Sequence, residues 1–152
     1  MKVLIGPNAL GLEAAIPDLR AQYPDVTVAW CPTPDGLADA LADADVYLGW
    51  LTRDEFLAAK RLRWVQSPSS GVDRFLAIPE LARGGVLLTS ASGTHANCLA
   101  EHTFAMILAF TRGIREYVIQ QQAHHWSNRE YRPAMRELTG STMGIVGLGN
   151  VG

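Results

Sequence analysis

Lys2-Val3-Leu4-Ile5-Gly6-Pro7, then Leu12 to Tyr23, then Val26-Thr27-Val28-Ala29-Trp30-Cys31 is the stretch on which the fold turns. Two β-rich runs, each closed by proline or glycine, flank a segment whose apolar residues (Leu12, Ala15, Ile16, Leu19) recur at helical spacing. Pro17 in that segment requires a first-turn position or a bend. The alternation continues outward. Leu37 to Ala44 is rich in Ala and Leu and reads as a helix, Val46 to Trp50 as a third strand, and Arg53 to Lys60 as a short helix. Trp64 to Ser67 is a fourth strand, stopped at Pro68. A short helix over Pro79 to Ala82 precedes Gly84-Gly85 and a fifth strand, Val86 to Ser90. Five such strands with helical crossovers predict an α/β doubly wound parallel sheet covered on both faces.

Composition narrows the class. The 152 residues are 48% hydrophobic and 18% charged, with net charge -2, which fits a globular domain and excludes wholesale disorder. No basic run argues for nucleic acid or an anionic membrane. The most apolar stretch, Phe104 to Phe110, falls far short of the ~20 residues a membrane span needs, and the first residues hold no signal-peptide core. A cytoplasmic location is expected. Cys31 and Cys98 have neither disulfide nor metal-ligand spacing and read as reduced thiols; no metal site is expected.

The pattern changes after residue 95. From Ala96 to Trp126 only Gly113 interrupts a helical pattern that is apolar nearly all round in its middle, predicting one long helix buried between bodies. Residues 127–140 are polar and read as a connection. Thr142 to Gly147 resembles another buried strand, running into Gly147-Leu148-Gly149-Asn150-Val151-Gly152. This is G-x-G-x-x-G after a β-rich run, the spacing that permits a tight turn, close approach to a pyrophosphate, and helix–strand packing. The expected domains are 1–95, a 96–140 helix and connection, and 141–152 as the first strand and turn of a truncated dinucleotide-binding domain.

Ser67-Pro68-Ser69-Ser70-Gly71-Val72-Asp73 closes the fourth strand. Small residues there leave backbone N–H groups open as an anion nest, and the same residues equally suit an ordinary turn. Trp50 and Leu51, at the end of the third strand, either wall a pocket beside it or cap the core.

Several motifs in order carry a resemblance: Leu62-Arg63-Trp64-Val65-Gln66, Ser70-Gly71-Val72-Asp73, Gly84-Gly85-Val86, Ala100-Glu101-His102, Thr111-Arg112, Trp126, and Leu138-Thr139-Gly140 leading to Gly144-Ile145-Val146-Gly147-Leu148-Gly149. Together they resemble the D-isomer-specific 2-hydroxyacid dehydrogenases, strongly from about Leu62 onward. The resemblance implies a flavodoxin-like substrate domain, a crossover helix, and a Rossmann cofactor domain. It implies NAD or NADP as cofactor and a small 2-oxo or 2-hydroxy acid as substrate. The substrate carboxylate would lie on the loop of Ser69, Ser70 and Gly71, with Trp50 and His95 as further substrate contacts. Gly147, Gly149, Asn150, Val151 and Gly152 would meet the cofactor; the family commonly has a basic residue where Asn150 stands. The family's catalytic Arg, acid and His follow the fingerprint, so none is assigned in this chain, which is expected to be inactive alone. His102, His124 and His125 read as structural or interface residues. A homodimer through the long helix is expected. The competing class is a non-catalytic NAD-sensing or oligomerisation module of the same fold.

Overall fold

Short β-rich runs separated by helical crossovers pair side by side because each crossover returns the chain to the same edge direction. In the computed structural model, which describes residues 1–8, 10–127 and 135–152, the chain divides into two units, Met1–Ser92 and Gly93–Gly152.

The first unit holds strands β1 (Lys2–Ile5), β2 (Thr27–Trp30), β3 (Val46–Leu48), β4 (Trp64–Gln66) and β5 (Leu87–Thr89) in one parallel sheet, ordered β2-β1-β3-β4-β5. A 3-10 turn at Leu12–Ala15 leads into α1 (Ile16–Gln22), where Pro17 sits harmlessly in the first turn. Helices α2 (Leu37–Leu41), α3 (Arg53–Ala58), α4 (Asp73–Leu76) and α5 (Pro79–Ala82) follow. The expected strands and crossovers all appear, α5 with the expected bounds, α2 three residues shorter and the others one or two residues shorter; α4 is an addition. Thr52 starts α3 with a capping box, its hydroxyl facing the Glu55 N–H while the Glu55 carboxylate takes the Thr52 N–H.

Register decides the core. Leu4, Tyr47, Val65 and Leu88 are aligned across four strands. They meet Leu37, Leu41, Leu62, Phe75, Ile78 and Leu81 in the main core. The opposite face packs Ile5 and Val28 on Ile16, while Trp64 and Leu87 further along it stay 39% and 58% exposed. Asp45 is nearly buried, and its carboxylate accepts the Lys2 backbone N–H at 2.7 Å and an Arg61 N–H at 3.1 Å.

The second unit corrects three expectations. The helix expected over 96–126 is two helices, α6 (Ala96–Thr111) and α7 (Ile114–Gln122), broken where Gly113 takes φ 62°. The left-handed residue ends the first helix, and the Arg136 N–H donates to the freed Thr111 carbonyl at 2.9 Å. Neither helix is the buried rod expected: no α6 residue is buried, and Phe110 remains 79% exposed. Residues 142–147 form no strand, since a β-ladder requires a neighbour and the described residues of this unit contain no other strand. They lie instead along α6, lining with Ala100, Thr103 and Phe104 a hollow of about 570 Å³. Half of the 127–140 connection (128–134) lies outside the described residues.

Candidate functional site

In an open parallel sheet, ligand crevices form outside the carboxyl ends of the strands, near where the strand order reverses. Here the reversal lies between β1 and β3. Tyr47, fully buried, points its hydroxyl between the loops leaving these two strands and donates to the Trp50 carbonyl at 2.7 Å. The fit requires glycine on both sides. A Cβ at Gly6 would stand 2.1 Å from Tyr47 Oη, and one at Gly49, whose φ is 152°, 2.6 Å from it. Burial, then the charges of Glu55 and Cys31, push the Tyr47 hydroxyl well above the usual tyrosine range, so it stays a neutral donor.

The loop after β4 is organised by Ser67. This residue has no exposed surface, and its Oγ lies 3.0 Å from the Ser69 carbonyl, 3.1 Å from that of Gly71 and 3.2 Å from the Ser69 N–H. The Gly71 N–H donates to Ser69 Oγ at 3.2 Å. Ser70 turns its hydroxyl away to the Ala91 carbonyl, and the Ala91 N–H donates to the Ser69 carbonyl, tying the loop to the end of β5. The nest expected over Ser69–Val72 is therefore half-filled: serine oxygens hold the Ser69 and Gly71 N–H groups. The N–H groups of Ser70 and Val72 have no partner among the described residues.

Beside this loop an open hollow of about 370 Å³ is lined by Trp50, Ser69, Gly71, Asp73 and Arg74. A second hollow of about 430 Å³ shares Trp50 and Arg74 and continues over Pro7, Leu37, Leu51 and Thr52. The Trp50 ring stacks on buried Phe75, centroids 5.2 Å apart and planes inclined 18°, and carries the Arg74 guanidinium 5.4 Å from its centroid.

The structure thus brings together Trp50 from the end of β3 with Ser69 and Gly71 from the loop after β4. Ser70 contributes its backbone and not its hydroxyl. His95 belongs to the second unit, exposed, just before α6. Two residues escaped sequence reading. Ser67 could have been found as a polar residue at the end of a buried strand, where an unpaired hydroxyl is costly. Arg74 gave no signal, standing beside Asp73 as an ordinary exposed pair.

In the second unit the glycine-rich turn closes on itself. Gly147 takes φ 100°, and a Cβ on Gly152 would stand 2.2 Å from the Gly147 carbonyl oxygen, so the first and third fingerprint glycines meet backbone to backbone. Gly147, Gly149, Asn150, Val151 and Gly152 all line the hollow along α6. His125 lines a different hollow with Tyr117 and Trp126, whose rings stack at 6.5 Å. Among the described residues no three His, Cys, Asp or Glu side chains gather as a metal site, and no helix is long and apolar enough to cross a membrane.

Residues 104–152 match the model of the D-isomer specific 2-hydroxyacid dehydrogenase NAD binding domain. The chain is 36% identical over 102 residues to a D-3-phosphoglycerate dehydrogenase of Bacillus subtilis, covering 67% of this chain and 19% of that protein. It is 33% identical over 129 residues to a glyoxylate reductase of Thermofilum pendens, covering 81% and 38%. Among solved structures, D-lactate dehydrogenase from Aquifex aeolicus, complexed with NAD and lactic acid, superposes with a TM-score of 0.75 at 22% identity. That match covers 99% of this chain and 45% of the other. This last likeness shows the fold. The chain spans between about a fifth and two-fifths of the length of these two curated relatives.

Proposed function

Since this chain belongs to the D-isomer specific 2-hydroxyacid dehydrogenase family, we propose that its first unit is the substrate-carboxylate half of an NAD(P)-dependent oxidoreductase. That enzyme interconverts a 2-oxo acid and a D-2-hydroxy acid. The observation that carries this is the pair of unpartnered N–H groups, Ser70 and Val72, on a loop braced by Ser67 beside Trp50. Two unpartnered donors two residues apart on a braced loop suit a carboxylate, whose oxygens accept charge-assisted hydrogen bonds. Ser69, Ser70 and Gly71 present the backbone, and Trp50 walls the substrate.

The glycine turn fits the cofactor. Its backbone-to-backbone closure at Gly147 and Gly152 leaves no room for side chains where a pyrophosphate would approach. Gly147, Gly149, Asn150, Val151 and Gly152 would hold NAD(P), which supplies the hydride acceptor or donor. No side chain of this chain is assigned as the proton relay, and the 152 residues alone do not turn over. The exposed apolar face of α6 and α7 supports a homodimer. The two unpaired cysteines, one buried and one exposed, accord with a reducing, cytoplasmic location.

The test is oxalate, a dianion without reactive chemistry, titrated into the chain and followed by amide NMR. The Ser70 and Val72 amides shift, and Gly71→Val, whose side chain blocks the approach, loses binding at least tenfold. Equal binding by both proteins overturns the assignment.

A further inference from the structure

In the first unit Arg20 donates to the Val28 carbonyl, Arg53 is paired with Glu80 and Arg61 with Asp45. Arg63, Arg74 and Arg83 have no such partner among the described residues, and of these three Arg74 is the one set over an aromatic ring. Arg74 has neither an ion pair nor a hydrogen bond among the described residues, yet its guanidinium is held over the Trp50 ring, 5.4 Å from the centroid. The ring beneath is already stacked on buried Phe75, so Trp50 is not free to receive a planar substrate group. What the wall presents to a ligand is the N–H edge of a guanidinium.

We propose that Arg74 determines substrate specificity by receiving a second anionic group, a carboxylate or a phosphate, at the far end of the acid whose first carboxylate rests on Ser70 and Val72. This rests on the carboxylate reading of that loop. Ser69 and Gly71, the chain neighbours of those two N–H groups, line one hollow of about 370 Å³ together with Trp50, Asp73 and Arg74. That is ample for a four-carbon dicarboxylate. The acidic groups nearby do not satisfy the arginine. Glu55 has its carboxylate taken by the Thr52 N–H at 2.6 Å and hydroxyl at 2.9 Å. Asp73 lies toward Gly71, its Oδ2 3.5 Å from where a Gly71 Cβ would stand, and forms no ion pair with Arg74. A planar fork of donors with no internal acceptor matches carboxylate and phosphate oxygens two at a time.

The experiment titrates the 152-residue chain with D-lactate and D-malate, and with D-glycerate and D-3-phosphoglycerate, at matched ionic strength, followed by amide and guanidinium NMR. Within at least one pair the acid that carries the second anionic group binds about tenfold tighter than its monoanionic partner, as a charge-assisted contact predicts. The pair with the larger ratio identifies carboxylate or phosphate. In Arg74→Gln the ratio falls to about one. Ratios near one in the parent chain overturn the proposal without reference to any variant. So does a preference that survives Arg74→Gln. If in either case Gly71→Val still abolishes binding of all four acids, the carboxylate loop stands and only the role of Arg74 falls. If no acid shifts Ser70 or Val72, the loop assignment fails and this proposal fails with it.

Discussion

Replacing Gly6 by alanine should unfold the first unit at a markedly lower temperature, although only a methyl group is added. The new Cβ would stand 2.1 Å from Tyr47 Oη, 2.7 Å from Cζ and 2.8 Å from Cε2. Tyr47 cannot swing aside: it has no exposed surface, and its hydroxyl is fixed to the Trp50 carbonyl at 2.7 Å. Overpacking a filled core costs about 1–3 kcal/mol. For a unit of this size a loss of ~2 kcal/mol lowers Tm by about 8–16 °C. Tyr47→Phe removes the hydroxyl and leaves the Trp50 carbonyl without its donor, a loss of about 1–2 kcal/mol. Combining the two should cost less than their sum, because the closest clash disappears with the oxygen. The coupling is about 0.5–1 kcal/mol and not more, since the ring carbons at 2.7 and 2.8 Å remain. Thermal and urea denaturation of the four proteins measure it. Gly6→Ala within 1 °C of the parent, or strict additivity with Tyr47→Phe, would refute the packing described around Tyr47.

Ser67→Ala removes the oxygen that braces the β4 loop and should destabilise the unit by about 1–3 kcal/mol, while weakening oxalate at least fivefold. Oxalate affinity within twofold of the parent means the loop holds its shape without Ser67. The Arg53 guanidinium beside Glu80 holds that carboxyl at about 2, well below the usual range. The pair's contribution is therefore fully present above the ordinary glutamate value near 4.5 and disappears as pH falls through about 2. A side-chain NMR titration of Glu80 should show that midpoint and return it toward 4.5 in Arg53→Gln; an unmoved midpoint contradicts the cause assigned. The chain should oxidise no NADH with glyoxylate, pyruvate or hydroxypyruvate, and measurable turnover by these 152 residues would show that a proton relay exists within them.

The first unit was legible because its strands are short runs rich in Val, Ile, Leu and aromatic residues, the first four stopped by Gly or Pro within two residues and the fifth preceded by Gly84-Gly85, and buried parallel strands need little else. The second was less so, for two reasons. The apolar residues around Phe104 to Phe110 made 96–126 read as one helix interrupted only by Gly113; the left-handed φ of that glycine ended the helix instead. Thr142 to Gly147 has strand composition, but a strand is a relation between segments, and composition cannot supply the neighbour. At the site, Ser69, Gly71 and Trp50 were legible as residue types at strand ends. Which N–H groups stay free depends on where the Ser67 and Ser69 hydroxyls point. Sequence cannot express that.

The strand order has a consequence for how the unit is made. β1 is synthesised before the other strands of its sheet, yet it ends up between β2 and β3 with both edges paired. Its β2 edge can close once Trp30 is out, but the β3 edge waits until Leu48 has been added, eighteen residues later. At ordinary synthesis speeds that interval is about 1–4 s. Throughout it, the backbone of Val3 to Ile5 offers an unpaired template to any extended segment nearby. Lys2, whose side chain in the finished fold reaches the Ala40 carbonyl at 3.1 Å and the Asp43 carboxylate, is then the one positive charge on that open edge. Replacing it by an apolar residue should raise aggregation of nascent chains more than it lowers the stability of the folded unit.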